Sequence, residues 1–322
     1  MKILITGGCG FIGTALTSVL LKQNKKHRII IIDNFSNSSK DFFKKSLEYF
    51  TKSKIQKLNI KMIKGDIKNY KLMIKYSKKC DAIIHLAAST GVDTSIKDPK
   101  FDFQNNVLAT FNVFEACRIN DIKKIILATS GAVVGETKPP ITEKNLPKPI
   151  SPYGASKLFY ESYGCAYSHS FNISAIALRF SNVYGPGSNF KNSVISKFIK
   201  DYMSQNKNEI FGDGTQTRDF IYIDDLIEAI KKSLFVKGLK NEVFQISTNK
   251  ETKINFVNNL IIKSLNKIGY KNLKTLYKPK RKGDVKKNYS NNLKAIRLLK
   301  WKPKMKLKKG IDNTVYYFDN FF

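Results

Sequence analysis

The stretch Met1-Lys2-Ile3-Leu4-Ile5-Thr6-Gly7-Gly8-Cys9-Gly10-Phe11-Ile12-Gly13 decides the fold. Ile3, Leu4 and Ile5 form a short apolar run suited to a buried strand. Gly7, Gly10 and Gly13 follow it directly, ahead of an amphipathic segment near 11–24. Glycines in that place permit a tight turn, let an anion approach the backbone amides, and allow a helix to pack hard on a sheet. A glycine pattern alone is weak evidence, and its meaning comes from the strand before it and the helix after it.

The same rhythm continues outward. Residues 2–6, 28–32, 59–64, 81–86, 122–129 and 173–179 read as strands, separated by amphipathic segments near 11–24, 40–52, 68–78, 98–119 and 152–169. Apolar runs such as Ile29-Ile30-Ile31-Ile32 suit strands covered on both faces. The expected fold class is therefore α/β, a doubly wound parallel sheet of the Rossmann type with a smaller C-terminal substrate-binding lobe. Beyond about residue 180 the pattern loosens, with helices expected near 191–204, 224–237, 253–268 and 292–299. We expect residues 1–182, with 218–246 returning to them, to form the dinucleotide-binding domain, and 183–217 with 247–322 to form the substrate lobe. Ligands of such sheets bind at the carboxyl ends of the strands, so the working cleft should lie between the lobes.

Asp33 closes the second predicted strand, where a carboxylate can bond the ribose hydroxyls of a dinucleotide. Its charge repels a 2′-phosphate, and no arginine follows in Asn34-Phe35-Ser36-Asn37-Ser38, so NAD is preferred over NADP. Asp66 ends the third strand and can either bond the adenine edge or cap its own turn.

The chain has 322 residues, enough for a sizeable core. Cys9, Cys80, Cys117 and Cys165 are far apart without a CxxC pair, so neither a metal site nor a disulfide framework is indicated. No signal-peptide pattern opens the chain and no run of eighteen apolar residues occurs, so a cytoplasmic location is expected. The formal charge of +32 alone would point to a polyanion. However, arginine occurs only at Arg28, Arg118, Arg179, Arg218, Arg281 and Arg297, and the lysines are scattered over every predicted helix and turn. Neither a nucleic-acid nor a membrane partner is expected from such a distribution.

Tyr153-Gly154-Ala155-Ser156-Lys157 begins a predicted helix, and the four-residue spacing puts the phenol and the ammonium on one face. A neighbouring cation favours the phenolate, which a tyrosine with an ordinary pKa near 10 needs to act as a base. Ser130 ends a predicted strand, where a parallel sheet presents residues to its ligand. A hydroxyl, a phenol and an amine thus converge.

Together with His85-Leu86-Ala87-Ala88, Arg179-Phe180-Ser181-Asn182-Val183-Tyr184-Gly185-Pro186, Phe211-Gly212-Asp213-Gly214 through Arg218-Asp219-Phe220, and Arg281-Lys282-Gly283-Asp284, these segments carry a resemblance running nearly end to end. The chain resembles the extended short-chain dehydrogenase/reductases, and within them the nucleotide-sugar 4-epimerases typified by UDP-glucose 4-epimerase. The resemblance implies that Tyr153 takes the proton of the sugar 4-hydroxyl, Ser130 bonds the same oxygen, and Lys157 binds the nicotinamide ribose while depressing the tyrosine pKa. It assigns NAD contacts to Gly7, Gly10, Phe11, Ile12, Gly13, Asp33, Asn34, Ser36, Asn37, Ser38, Asp66, Ile67, Leu86, Ala87, Ala88, Asn106, Tyr153, Lys157 and Ser181. It further implies that Asn106, Asn182, Arg218 and Arg281 hold the nucleotide diphosphate, with Asp284 and Asn288 completing the substrate side. A homodimer through the helices near 98–119 and 152–169 is implied as well.

Relatives that eliminate water or carbon dioxide carry acidic residues just after the serine, where this chain has Gly131 and Ala132. With no second acid or base there, removal and return of a hydride at carbon 4 of a UDP-sugar is the expected chemistry. Two alternatives stand beside it. A nucleotide-sugar reductase or dehydratase of the same family is one, and the reductase would release its nicotinamide product each turnover; a non-catalytic basic RNA-binding or scaffold protein is the other, and weak, steeply salt-dependent RNA binding would mark the charge as incidental. Asn182 and Gly187-Ser188-Asn189 stand where uronate enzymes grip a carboxylate, so a neutral sugar is expected unless Lys191 reaches it. Asn288 stands where a bulkier tyrosine would exclude an N-acetyl group, and a one-residue slip in that loop would substitute Tyr289.

Overall fold

The computed structural model describes residues 1–24, 26–53, 58–280 and 285–321. The chain opens with β1 (Lys2–Thr6), α1 (Phe11–Gln23), β2 (Arg28–Asp33), α2 (Lys40–Thr51), β3 (Ile60–Lys64), α3 (Tyr70–Ser77) and β4 (Ala82–His85). There follow α4 (Val92–Lys97), α5 (Pro99–Asp102), a π-helical turn (Phe103–Leu108), α6 (Ala109–Ile119), β5 (Lys124–Ser130), α7 (Pro152–Phe171) and β6 (Ser174–Phe180). The remainder comprises β7 (Asn182–Tyr184), α8 (Val194–Gln205), β8 (Lys207–Phe211), β9 (Thr217–Arg218), β10 (Phe220–Tyr222), α9 (Ile223–Phe235) and β11 (Asn241–Ile246). The last elements are β12 (Thr252–Lys253), α10 (Ile254–Lys267), β13 (Lys274–Lys278), α11 (Leu293–Leu299) and α12 (Leu307–Phe321).

Seven strands form one sheet in the order β3-β2-β1-β4-β5-β6-β11, every pair parallel, as the doubly wound reading requires. The order reverses between β1 and β4, which opens a crevice at their carboxyl ends. Isoleucine makes the sheet two-sided. Ile29 and Ile31 enter the layer that contains Leu16 and Leu20 of α1, whereas Ile30 and Ile32 enter the layer with Met73 of α3 and Phe114 of α6. A run without polar alternation is thus what a strand buried on both faces needs.

The structure departs from the sequence reading in three places. The expected single helix over 98–119 is α5, a π-helical turn and α6, with Asp98 capping α5 by accepting from the Phe101 amide at 2.9 Å. β11 is a seventh strand that the sequence reading did not pick out, paired with β6 from Asn241↔Ala175 to Ile246↔Phe180. α12 was not anticipated either. The tail leading to it is fixed by long-range bonds, with Trp301 Nε1 donating to the Asp225 carbonyl at 2.8 Å and the Lys304 and Met305 amides donating to the Asp225 carboxylate, both at 2.9 Å.

Candidate active site

A cleft of about 1240 Å³ opens over the carboxyl ends of the strands, and residues from both halves of the chain, from Gly7 to Ser290, line it. Its first wall is the turn between β1 and α1. Gly7 adopts φ +66°, and a Cβ there would stand 2.7 Å from the Ala87 amide nitrogen, so a side chain is excluded by both conformation and space. A Cβ on Gly13 would lie 2.5 Å from the Gly8 Cα, which lets α1 sit tightly on the turn. α1 starts at Gly10 with no side-chain cap and no acidic residue in its first turn, leaving its amides and positive dipole end toward the cleft. This cradle fits a dinucleotide pyrophosphate.

Asp33 accepts from the Cys9 amide at 2.9 Å and the Phe35 amide at 2.8 Å, which aims its carboxylate along the cleft. Burial raises its pKa, and the two backbone bonds work against that rise. Asp66 caps its own turn by accepting from the Lys68 amide at 2.8 Å, and it also accepts from Asn34 Nδ2 at 3.3 Å while lining the cleft. Ser36, Asn37, Ser38, Ile67, Leu86, Ala87, Ala88 and Ser181 line the cleft too, beside Phe11 and Ile12. Buried His85 anchors the 85–88 segment, its Nδ1 2.7 Å from Thr6 Oγ1 and its Nε2 2.9 Å from Thr110 Oγ1.

The reacting end joins β5 to α7. Ser151 caps α7 by accepting from the Gly154 amide at 3.1 Å, which sets Tyr153 in the first turn facing Ser130 at the end of β5. α7 is locked to the sheet by a buried fork: Glu161 accepts from Arg179 Nε at 2.8 Å, Arg179 NH2 at 2.7 Å and Thr129 Oγ1 at 3.0 Å. Bidentate geometry of this kind fixes orientation as well as charge. Burial pushes the Tyr153 phenol up to about 12, the Ser130 hydrogen bond lowers it, and the Asp102 charge raises it. Burial pulls Lys157 down to about 7, opposed by Asp102. Lys157 Nζ donates to the Ala128 carbonyl at 3.0 Å and lies 5.8 Å from the Tyr153 ring centre.

Asp102 is the group that sequence reasoning missed. It is 3% exposed, accepts from Asn106 Nδ2 at 2.7 Å and is bonded by Ser156, so a buried carboxylate stands behind the phenol and the ammonium. No motif announces it, because the break between α5 and α6 is what turns it inward. The same break corrects the assignment of Asn106, which is fully buried and does not line the cleft. Its amide is spent on Ser89, accepting from the backbone nitrogen at 2.8 Å and donating to the carbonyl at 3.0 Å, and on Asp102. It holds the cleft wall at Ser89 and has no donor left for a ligand.

On the substrate side Asn182, Arg218 and Asn288 line the cleft, and Tyr289 does not. Asn182 Nδ2 donates to the Asp219 carbonyl at 3.0 Å, and Arg218 NH1 donates to the carbonyls of Thr217 and Val285, both at 2.7 Å. Arg281 and Asp284 lie outside the described residues.

Known proteins fit this geometry. The NAD-dependent epimerase/dehydratase family profile matches residues 3–247. The chain is 30% identical over 324 residues to the UDP-glucose 4-epimerase of Mycolicibacterium smegmatis, covering 99% of both chains. The UDP-N-acetylglucosamine 4-epimerase of Methanobrevibacter ruminantium M1, solved in complex with UDP-N-acetylmuramic acid, is 30% identical with a TM-score of 0.89, over 100% of this chain and 99% of that one. The UDP-glucuronic acid 4-epimerase of Bacillus cereus, solved with UDP-glucuronic acid and NAD, is 32% identical with a TM-score of 0.88 over 100% of both. The cofactor of the present chain is NAD.

Proposed function

We propose that this chain, which belongs to the NAD-dependent epimerase/dehydratase family, inverts carbon 4 of a UDP-sugar through a 4-keto intermediate. The observation that carries this reading is the meeting of Ser130, Tyr153 and Lys157 in the cleft beside Gly131 and Ala132, with no carboxylate at those two positions. When bound, NAD supplies the acceptor and donor of a hydride. The glycine turn and Asp33 hold its pyrophosphate and ribose. Tyr153 accepts the proton of the 4-hydroxyl, Ser130 hydrogen-bonds that oxygen, and Lys157 lends its charge to the phenolate. Asp102 offsets part of the burial that discharges Lys157.

Asn182, Arg218 and Arg281 hold the nucleotide diphosphate in this reading, so that the sugar is held loosely enough to turn. The lobe formed by 183–217 and 247–322 supplies that grip, while 1–182 with 218–246 carries the cofactor. The sugar is a neutral hexose or N-acetylhexosamine in this reading: Asn182 offers no cation for a uronate, the Lys191 ammonium that does line the cleft faces the Phe11 ring at the first turn of α1, and Asn288 on the wall leaves room for an N-acetyl group. A homodimer through the helices over 98–119 and 152–169 is supported by exposed apolar side chains on them, with Phe101 47%, Phe103 56% and Tyr163 37% exposed. Phe114 and Tyr167 on the same helices are buried in the chain's own core and take no part.

Incubation with a panel of UDP-, dTDP-, GDP- and CDP-sugars, read by NMR, tests the reading. Interconversion of a 4-epimeric pair by protein with no added NAD supports it. Release of a deoxy-keto product would identify a dehydratase instead.

A further inference from the structure

Among the described residues Lys191 has no carboxylate partner. It lines the cleft, and burial lowers its pKa with no nearby charge opposing the shift. Among the described residues its ammonium faces the ring of Phe11, 5.8 Å away, at the first turn of α1. An ammonium whose charged form is disfavoured by burial gains most from an anion placed opposite it, and a ligand bound in the cleft can supply one.

Independent features converge on the same place. Ser193 stands at the N-cap of α8, yet its hydroxyl does not cap the helix and is buried without a partner. Ser38, across the cleft on the ribose segment, has a buried hydroxyl that is equally unspent. Gly187 passes close to α1, since a Cβ there would meet the Phe11 ring at 3.3 Å. Phe190 then reaches across the cleft to Phe42 of α2, edge to face at 4.6 Å. The segment from Gly187 to Ser193 therefore crosses the cleft from the glycine turn to the ribose segment, with a cation and a free hydroxyl on its inner side.

We propose that residues 187–193 form a strap over the cofactor and that Lys191, with Ser193, binds a diphosphate, the NAD pyrophosphate held by the α1 amides. Phe190 against Phe42 keeps the strap closed, so the cofactor stays on the protein between turnovers. This rests on the cofactor reading of the cleft and is independent of the reaction performed, because its readout is bound nucleotide.

The test uses the full chain carrying Lys191→Gln, Lys191→Arg or Ser193→Ala. Nucleotide released by acid is counted per chain, and NAD and UDP are titrated calorimetrically into stripped protein. Losing a charged hydrogen bond should weaken NAD binding roughly 10- to 100-fold in the glutamine variant, with occupancy falling to match. The arginine variant should hold NAD like the parent, and Ser193→Ala should give a smaller loss. UDP affinity should stay within about twofold. Full NAD occupancy with unchanged affinity in Lys191→Gln would overturn the proposal. Weakened UDP binding with NAD intact overturns it too, by assigning the cation to the sugar nucleotide. Failure to epimerise any UDP-sugar while the NAD losses appear would refute the proposed reaction and leave the strap standing.

Discussion

At the cofactor end of the cleft, recognition rests on backbone: Gly7, Gly10 and Gly13 belong to one turn, where a Cβ on Gly7 would strike the Ala87 backbone and one on Gly13 the Gly8 backbone. At the sugar end it rests on side chains brought from β5, α7, β7, β9 and the 285–290 segment, far apart in the chain. The first end is set by local conformation, and at Gly7 and Gly13 it leaves no room for a Cβ. The second is set by packing, and its polar groups are held by buried partners such as Glu161, Arg179 and Asp219. Damage should therefore look different at the two ends, with loss of cofactor and fold at one and loss of chemistry or selectivity at the other.

The sharpest separation should come from Tyr153→Phe. Turnover should fall roughly 10²- to 10⁴-fold, as for loss of a general base, while the purified variant keeps its full complement of NAD. Near-normal turnover would remove Tyr153 from the chemistry.

Lys157→Met should do the opposite to stability. A lysine lowered to about 7 in the folded chain keeps its ordinary value of 10.5 when unfolded, so between those values the unfolded chain binds more protons and stability rises with pH. The cost of the buried charge is borne in full below about pH 7 and vanishes toward 10.5. The methionine variant, though inactive, should be more stable by on the order of 3 kcal/mol at pH 6, with the gain fading above neutrality. Chemical denaturation across pH measures this, and a gain that is flat with pH would contradict it.

At the other end, Gly7→Ala forces a left-handed conformation on a residue with a Cβ that meets the Ala87 backbone. It should cost about 1–3 kcal/mol and strip NAD from the protein. Retention of NAD with an unchanged melting temperature would show that the turn is less demanding than its geometry implies.

The smallest effect is the most selective. Asn288→Tyr should lower kcat/KM on UDP-N-acetylglucosamine about tenfold or more, the equivalent of about 1.4 kcal/mol, while sparing UDP-glucose. Equal losses on both sugars would show that the side chain is not a gate.

The contrast between the two ends also explains what could be read in advance. The parallel sheet, the glycine turn, Asp33 and the Ser130, Tyr153 and Lys157 group were legible because each depends on short-range rules: a period, a turn conformation, or a spacing of one helical turn. Asn106 was placed among the ligand contacts, but the π-helical turn directs its amide to Ser89 and Asp102 instead. Asp102 carried no signal at all, since an aspartate in a helix reads as surface until its neighbours are known, and Lys191 was read only as a cation that could reach a sugar carboxylate.

By itself, then, the sequence determined the first six strands of the parallel sheet, the glycine turn that cradles NAD, and the grouping of Ser130, Tyr153 and Lys157. These are written in backbone conformations and apolar periodicities that act over a few residues. Only the tertiary structure decided which charges are desolvated together and which segment crosses the cleft. Burial and electrostatic coupling depend on distances across the fold, such as that between Lys191 and Phe11, far apart in the chain, and no local pattern encodes them.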